Sequence, residues 1–309
     1  MKTIHIGSQP QVMEDDLCLA VGYFDGLHLG HLQLLKEVKR QADNKHLKSA
    51  VLSFSPNPLL TLGVIEEEHL ITSLKDRAEI LESLGFDYFL ILDFSPAIAA
   101  MECEAFIEEF IVKMNVKHVV CGFDFYFGKQ GRGNSQTLQD LSLGRYAVSV
   151  IAEYEDHHLK VSSSRISQLI QKGDMEEAHR LLSRPFRISG TVIHDKKRGH
   201  DLGFPTANIS YSGYVLPAFG VYGVYLEVTG QKIMGMANVG INPTFGDLKH
   251  PSIEVNLFDF HEDIYDQPVK VSFYFYERGD VTFENVGQLV RQLHKDRESI
   301  IKKFKDIQK

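Results

Sequence analysis

Residues 17–38 read LCLAVGYFDGLHLGHLQLLKEV. Leu17 to Val21 is a short, wholly apolar run with the length and composition of a strand buried on both faces. Glycines at 22 and 26 break the run. From Leu29 onward Leu32, Leu35, Val38 and Ala42 recur at three- and four-residue steps, one apolar face of a helix. A buried strand that turns through glycine into a core-packed helix opens a βαβ unit, and a parallel sheet holds its ligands at this edge. Gly22 and Gly26 permit a tight turn and close backbone approach, and the amides that begin the helix favour an anion such as phosphate. His28 and His31 stand three apart on one side of the first turn, where both can reach phosphate oxygens. The same spacing also fits a zinc pair completed by further ligands, with Asp25 nearby, and it fits two histidines of purely structural role.

Working outward, the same style continues to residue 183. Ala50–Phe54, Tyr88–Leu92, His118–Cys121 and Ala147–Ile151 read as further buried strands. Ser73-Leu74-Lys75-Asp76 resembles a capping box with Asp in place of Glu. It opens a helix through Leu74, Ala78, Leu81 and Leu84 that stops at Gly85. Glu102–Met114 is a third helix, and Ser164–Leu182 a helical pair meeting at Gly173-Asp174. After Arg184-Pro185 the period changes. Phe186–His194, Gly220–Val228, Lys232–Val239, Ile253–Asp259 and Val269–Tyr276 are β-rich runs separated by Gly, Pro, Asn and Asp, the pattern of an antiparallel barrel or sandwich. A last helix over 285–307 carries Val286, Leu289, Val290, Leu293, Ile300 and Phe304 toward that barrel. The sequence therefore predicts an α/β domain over 1–183 and an antiparallel β domain with a C-terminal helix over 184–309.

Length agrees with two domains, since 309 residues exceed one average core. A hydrophobic share of 43% and a charged share of 24% are ordinary for a folded globular chain. A net charge of −8 argues against general nucleic-acid or anionic-membrane binding, so an anionic ligand has to be met locally. Three cysteines without a CxxC fit neither a disulfide framework nor a zinc site and point to a reducing compartment. The N-terminus MKTIHIGSQP lacks the apolar core of a signal peptide and no run of about 18 apolar residues occurs. A cytoplasmic location is expected, and no protein partner is evident.

Three further stretches carry chemistry. GFDFYFGKQGRG, Gly122–Gly133, follows a strand; its Phe123, Phe125, Tyr126 and Phe127 would line a cleft for a planar ring with Asp124 as polar contact, or fill the core. Val161-Ser162-Ser163-Ser164-Arg165 opens a helix where hydroxyls, amides and a guanidinium converge on phosphate, or serve as a plain N-cap. LGFPTANI, Leu202–Ile209, follows the basic loop 195–200. Lys197 and Arg198 suit a polyphosphate, and the Thr206 hydroxyl and Asn208 amide oxygen suit Mg²⁺; a solvated basic hairpin is the alternative. Glu254 alternates with apolar residues in SIEVNLFDF, on a face expected to be polar and inward, where a carboxylate takes a proton from an attacking hydroxyl.

Taken together, HxGH at the first strand-to-helix turn and a late serine-rich helix start resemble the nucleotidyltransferase superfamily. GYFDGLHLGHLQLL, CGFDFYFGKQGRG and VSSSRI are similar to the adenylyltransferase half of prokaryotic bifunctional riboflavin kinase/FAD synthetases. GTVIHDKKRGHDLGFPTANI, GVYGVYLEV, GMANVGINPTFG and SIEVNLFDFHEDIY occur in the order of that family's riboflavin kinase barrel. The resemblance implies a Rossmann-like nucleotidyltransferase domain followed by a kinase barrel, acting on riboflavin, FMN and ATP with Mg²⁺ to give FMN and then FAD. It implies that His28 and His31 engage ATP phosphates beside Gly22, Phe24 and Asp25, that Asp124 lies near the nucleotide, and that Ser164 and Arg165 close over the triphosphate. In the second half it implies Lys197, Arg198, Gly203, Pro205, Thr206 and Asn208 at Mg²⁺–ATP, Glu254 as the base, and Arg278 near the flavin. Phe54 and Asn57 belong to the family's flavin segment, where asparagine replaces histidine in Phe54-Ser55-Pro56-Asn57-Pro58. Ser167 stands where the family usually has arginine. These two departures keep open a kinase with a weakened or lost adenylyltransferase site, and a sensor that binds flavin without turnover is the reading from another class.

Overall fold

A computed structural model describes residues 1–10, 12–194, 203–241 and 251–307. It divides into two compact units, Met1–Ser162 and Ser163–Lys309. The first is built on a six-stranded sheet of β1 (Lys2–Ile6), β2 (Leu17–Val21), β3 (Lys48–Ser55), β4 (Tyr88–Asp93), β5 (Val116–Gly122) and β6 (Ala147–Ile151) in the order β1-β4-β3-β2-β5-β6. All five pairings are parallel. The inner strands are covered on both faces: Leu17, Leu19 and Val21 join one core cluster while Cys18 and Ala20 join the other. The chain runs outward from β2 to β3 and β4, then returns to lay β5 on the other side of β2. That reversal puts a ligand crevice at the carboxyl ends of β2 and β5.

Helix α1 (Leu29–Lys45) buries Leu34, Leu35, Val38 and Ala42 against this sheet. A short α2 (Pro58–Thr61) is followed by α3 (Leu74–Ser83), whose N-cap Ser73 accepts from the Asp76 amide. The expected box is only half formed, because the Asp76 carboxylate takes the Ser73 hydroxyl, not its backbone N–H. After α4 (Pro96–Ala99), α5 (Cys103–Ile107) runs on as a π turn over Glu108–Val112; α6 (Ser135–Asp140) and a small hairpin of β7 (Glu155–Asp156) and β8 (Leu159–Lys160) complete the unit.

The second unit begins with α7 (Ser163–Lys172) and α8 (Met175–Leu182), joined through Gly173 as the sequence predicts. Six strands follow: β9 (Phe186–Ile193), β10 (Thr206–Ser210), β11 (Gly220–Val228), β12 (Gln231–Ile241), β13 (Pro251–Leu257) and β14 (Pro268–Arg278). They close a barrel in the order β10-β13-β12-β11-β14-β9, wholly antiparallel, which decides between barrel and sandwich. Side chains such as Ile253, Val255, Val239 and Leu226 fill its interior at 0% exposure. The last helix, α9 (Val286–Ile307), packs Ile300 and Phe304 on the outer face with Val221, Met236, Phe258 and Phe275. Helix α8 lies with this unit, against β9 and β14, whereas the change of sequence period falls after it.

Candidate functional sites

His28 is the N-cap of α1, in extended backbone, and His31 lies in the helix's first turn. The His31 amide donates to Nδ1 of His28 at 3.3 Å, and the two rings stack at 3.7 Å, 16° from parallel. An acceptor Nδ1 fixes the proton of the neutral His28 ring on Nε2, so that ring offers a hydrogen-bond donor at the helix N-terminus. Phe24, buried and in the left-handed region at φ 55°, sets its ring edge-on to His31 at 5.2 Å. Gly30 lies close beneath the pair: a Cβ there would stand 3.3 Å from the His28 ring, a tight contact. Among the described residues no three His, Cys, Asp or Glu side chains converge as metal ligands.

The turn is held from below. Asp25, 6% exposed, accepts from the Ile71 amide at 3.0 Å, the Thr72 amide at 2.9 Å and the Thr72 hydroxyl at 3.2 Å, with Arg77 at 3.7 Å. Burial pushes the Asp25 carboxyl pKa up, against the pull of Arg77 and the two amides. Arg77, also buried, donates to the carbonyls of Tyr23 at 2.8 Å and Thr72 at 3.1 Å and lies over the Tyr23 ring. The Glu68 carboxylate accepts both the Tyr23 hydroxyl and the Asn57 amide, tying the Gly22–Asp25 turn to the Phe54–Pro58 segment. Asn57 itself caps α2 through the Leu59 amide at 2.9 Å, and Phe54 is a core side chain set edge-on to Phe94.

In the loop after β5, Phe125 and Phe127 stack together, Phe127 buried and Phe125 packed against the core, while Phe123 and Tyr126 face solvent. Phe125 and Phe127 thus follow the core-filling reading, and Phe123 and Tyr126 do not. Asp124 pairs with Lys160 at 2.5 Å, and Lys160 also lies over the Phe123 ring and 3.6 Å from Glu153. The Asp124 carboxylate raises the Lys160 pKa. In the second unit Arg165, on the first turn of α7 after Ser164, pairs with Glu177 of α8 at 3.3 Å.

On the barrel, register brings the kinase-type residues together. Asn208 of β10 lies opposite Glu254 of β13, which lies opposite Asn238 of β12; Thr206 lies opposite Asn256. Directly opposed residues share a face, so Thr206, Asn208 and Glu254 form one polar patch. That patch is on the outside of the barrel, contrary to the expected inward face. Ile253 and Val255 take the interior, where an ion would be stripped of water without partners. The Asn256 amide, 6% exposed, donates to the carbonyl of Pro205 at 2.8 Å, just past Gly203, whose φ is 78°. Arg278 is bound to Asp296 of α9 through Nε at 3.0 Å and Nη2 at 2.8 Å. Lys197 and Arg198 lie outside the described residues. Tyr23, Glu68, Thr72, Arg77, Asn256 and Asp296 escaped sequence reasoning. Only Arg77 left a signal, as a charge on the apolar face of α3 between Leu74 and Leu81.

The comparisons fall on these two constellations. A family model for FAD synthetase matches residues 11–165, and one for riboflavin kinase matches residues 182–304. The chain is 38% identical to the "Bifunctional riboflavin kinase/FMN adenylyltransferase" of Bacillus subtilis over 100% of both chains, and 38% identical to that of Listeria monocytogenes over 96% of each. The Escherichia coli enzyme of the same name is 30% identical over 96% of each. A solved structure from Streptococcus pneumoniae described as a macrolide-efflux protein superposes with a TM-score of 0.88 at 35% identity, covering 96% of this chain and 98% of that one. No helix among the described residues is long and apolar enough to cross a membrane.

Proposed function

The chain belongs to the bifunctional riboflavin kinase/FMN adenylyltransferase family, and from that premise we propose how its residues divide the work. The protein phosphorylates riboflavin with ATP to FMN and adenylylates FMN with a second ATP to FAD, releasing pyrophosphate. The observation that carries the residue reading is the pair of phosphate-suited constellations on separate units: stacked histidines at the crevice of a parallel sheet, and a Thr–Asn–Glu patch aligned by barrel register.

In the adenylyl transfer, an FMN phosphate oxygen attacks the α-phosphorus of ATP and pyrophosphate leaves. His28, His31 and the α1 amides hold the phosphate oxygens, and no residue becomes a covalent nucleophile. Gly22, Phe24 and Asp25 act through the shape of the turn, since the Asp25 carboxylate is spent on the Ile71–Thr72 backbone. Asp124 serves the nucleotide, Ser164 and Arg165 the triphosphate, and Phe54 and Asn57 the flavin side. In the phosphoryl transfer, Glu254 takes the proton of the ribityl 5′-hydroxyl as its oxygen attacks the γ-phosphorus and ADP leaves. Lys197, Arg198, Gly203 and Pro205 complete the ATP side, and Arg278 acts near the flavin as the anchor of α9.

Thr206 and Asn208, two hard oxygen donors two residues apart on one face of β10 beside a carboxylate, fit Mg²⁺. When bound, it would neutralise phosphate charge. The change of sequence period supports dividing the activities at 183/184. Three free cysteines and ATP as co-substrate support a cytoplasmic location. Incubation of the purified protein with riboflavin, ATP and Mg²⁺, with FMN and FAD resolved chromatographically, tests the whole reading. Both products are expected; FMN alone would leave a kinase whose adenylyl site is lost, and neither product would overturn the function.

A further inference from the structure

Pro205 immediately precedes the polar patch, outside the strand ladder. It has no N–H to give a neighbouring strand, and β10 begins only at Thr206. Its carbonyl is claimed by a side chain 51 positions away. The Asn256 amide reaches it at 2.8 Å from β13, in a residue 6% exposed and opposite Thr206 in the register. The same turn is gripped on its other side by Phe204, which is buried in the α9 cluster with Met236 and Phe304 and set edge-on to His294 at 5.0 Å. Between these grips, the rotation of the Pro205–Thr206 peptide decides where the Thr206 hydroxyl and, two residues on, the Asn208 amide oxygen point.

We propose that Asn256 is a positioning residue for the kinase half: its amide locks the Pro205 carbonyl and thereby aims Thr206 and Asn208 at the Mg²⁺–ATP phosphates beside Glu254. The inference rests on the reading of Thr206 and Asn208 as those donors. Asn256 itself touches no reacting atom. Losing a buried hydrogen bond of this kind is worth roughly tenfold in an equilibrium, so the loss should fall on nucleotide affinity and spare the proton transfer.

The test replaces Asn256 by leucine, of similar shape but without a donor, and by histidine, whose Nδ1–H can stand where the amide N–H stood. In Asn256→Leu the KM for ATP in FMN formation should rise about tenfold with kcat changed less than about threefold. Calorimetric affinity for Mg²⁺–ADP in the presence of FMN, measured in full-length protein carrying His28→Ala to silence the other nucleotide site, should weaken by the same factor. FAD formation from supplied FMN should not move, and Asn256→His should recover most of the loss. Where the leucine variant does not fold, Asn256→Ser takes its place with the same expectations. Unchanged KM and affinity, an equal loss in FAD formation, or no recovery with histidine would overturn the positioning role. Thr206→Val, run in parallel, separates the two layers. If it shifts the Mg²⁺ dependence while Asn256→Leu does nothing, only the positioning role fails; if Thr206→Val has no effect, the donor reading fails and takes the positioning role with it.

Discussion

One proton placement is what the proposed phosphate role requires of the histidine pair. Because Nδ1 of the buried His28 accepts the His31 amide, its neutral ring carries the proton on Nε2 at a helix N-terminus, where on the proposed reading a phosphate oxygen profits from both the donor and the dipole. Removing one such donor from a charge-stabilising site costs on the order of 10²–10³ in rate. His28→Ala should therefore lower FAD formation from supplied FMN by about that factor, with FMN formation from riboflavin unchanged; an equal fall in both rates would show damage to the fold. Glu254 makes the converse case. It stands beside Asn208 on the barrel's outer face, and Glu254→Gln keeps the shape while removing the proposed base. FMN formation should fall about 10²–10⁴-fold, and FAD formation from FMN should persist. A variant that still makes FMN at the normal rate would take the proton-acceptor role away from Glu254.

Elements differ in how much of themselves the sequence declares. Strands β2 to β6 are short apolar runs bounded by breakers, and period alone locates them; β6 is not the buried strand expected of Ala147–Ile151, because it lies at the sheet's other edge and none of its residues is buried. Besides the two-residue strands β7 and β8, two strands are silent for physical reasons. β1 (Lys2–Ile6) is an edge strand, polar enough to be taken for a frayed terminus, and β10 (Thr206–Ser210) contains Asn and Ser, which strands disfavour until two neighbours pair with them. Period also cannot say which face of β13 is the inside: alternation places Glu254 opposite to Val255, and only closure of the barrel decides that the apolar set goes in. The end of α1 carries a device of the same hidden kind. His118 of β5, 3% exposed, accepts from Lys45 at 2.8 Å through Nδ1 and meets the Ser149 hydroxyl at 2.8 Å through Nε2. Burial first, then the Lys45 and Arg40 charges, hold its pKa below the ordinary 6.5, with Glu37 opposing. The unfolded chain thus binds this proton more readily than the folded one, so the stabilisation is whole above about pH 6.5 and is lost as pH falls toward the lowered folded value. Thermal midpoints taken between pH 7.5 and 5 should decline, and His118→Gln should flatten that decline; an identical slope in the variant would assign the acid sensitivity to other groups.

At the scale of the whole molecule, the proposed assignment has the two reactions share a metabolite without sharing the residues that handle it. The histidine pair is set by β2 and α1 of one unit, and the Thr206–Asn208–Glu254 patch by β10 and β13 of the other. On the proposed assignment FMN is the product of the second constellation and the substrate of the first, so it has to pass between them. If it passes through bulk solvent, the two activities can be carried by different molecules. A mixture of His28→Ala protein, which makes FMN alone, with Glu254→Gln protein, which only consumes it, should then produce FAD from riboflavin. The time course should show a lag set by the accumulation of free FMN, and an excess of an unrelated FMN-binding protein should lengthen the lag. If each variant retains its own half-reaction but the mixture yields no FAD while the unmutated chain does, FMN is handed on within one molecule. Independence of the two constellations would then hold for their chemistry and fail for their traffic.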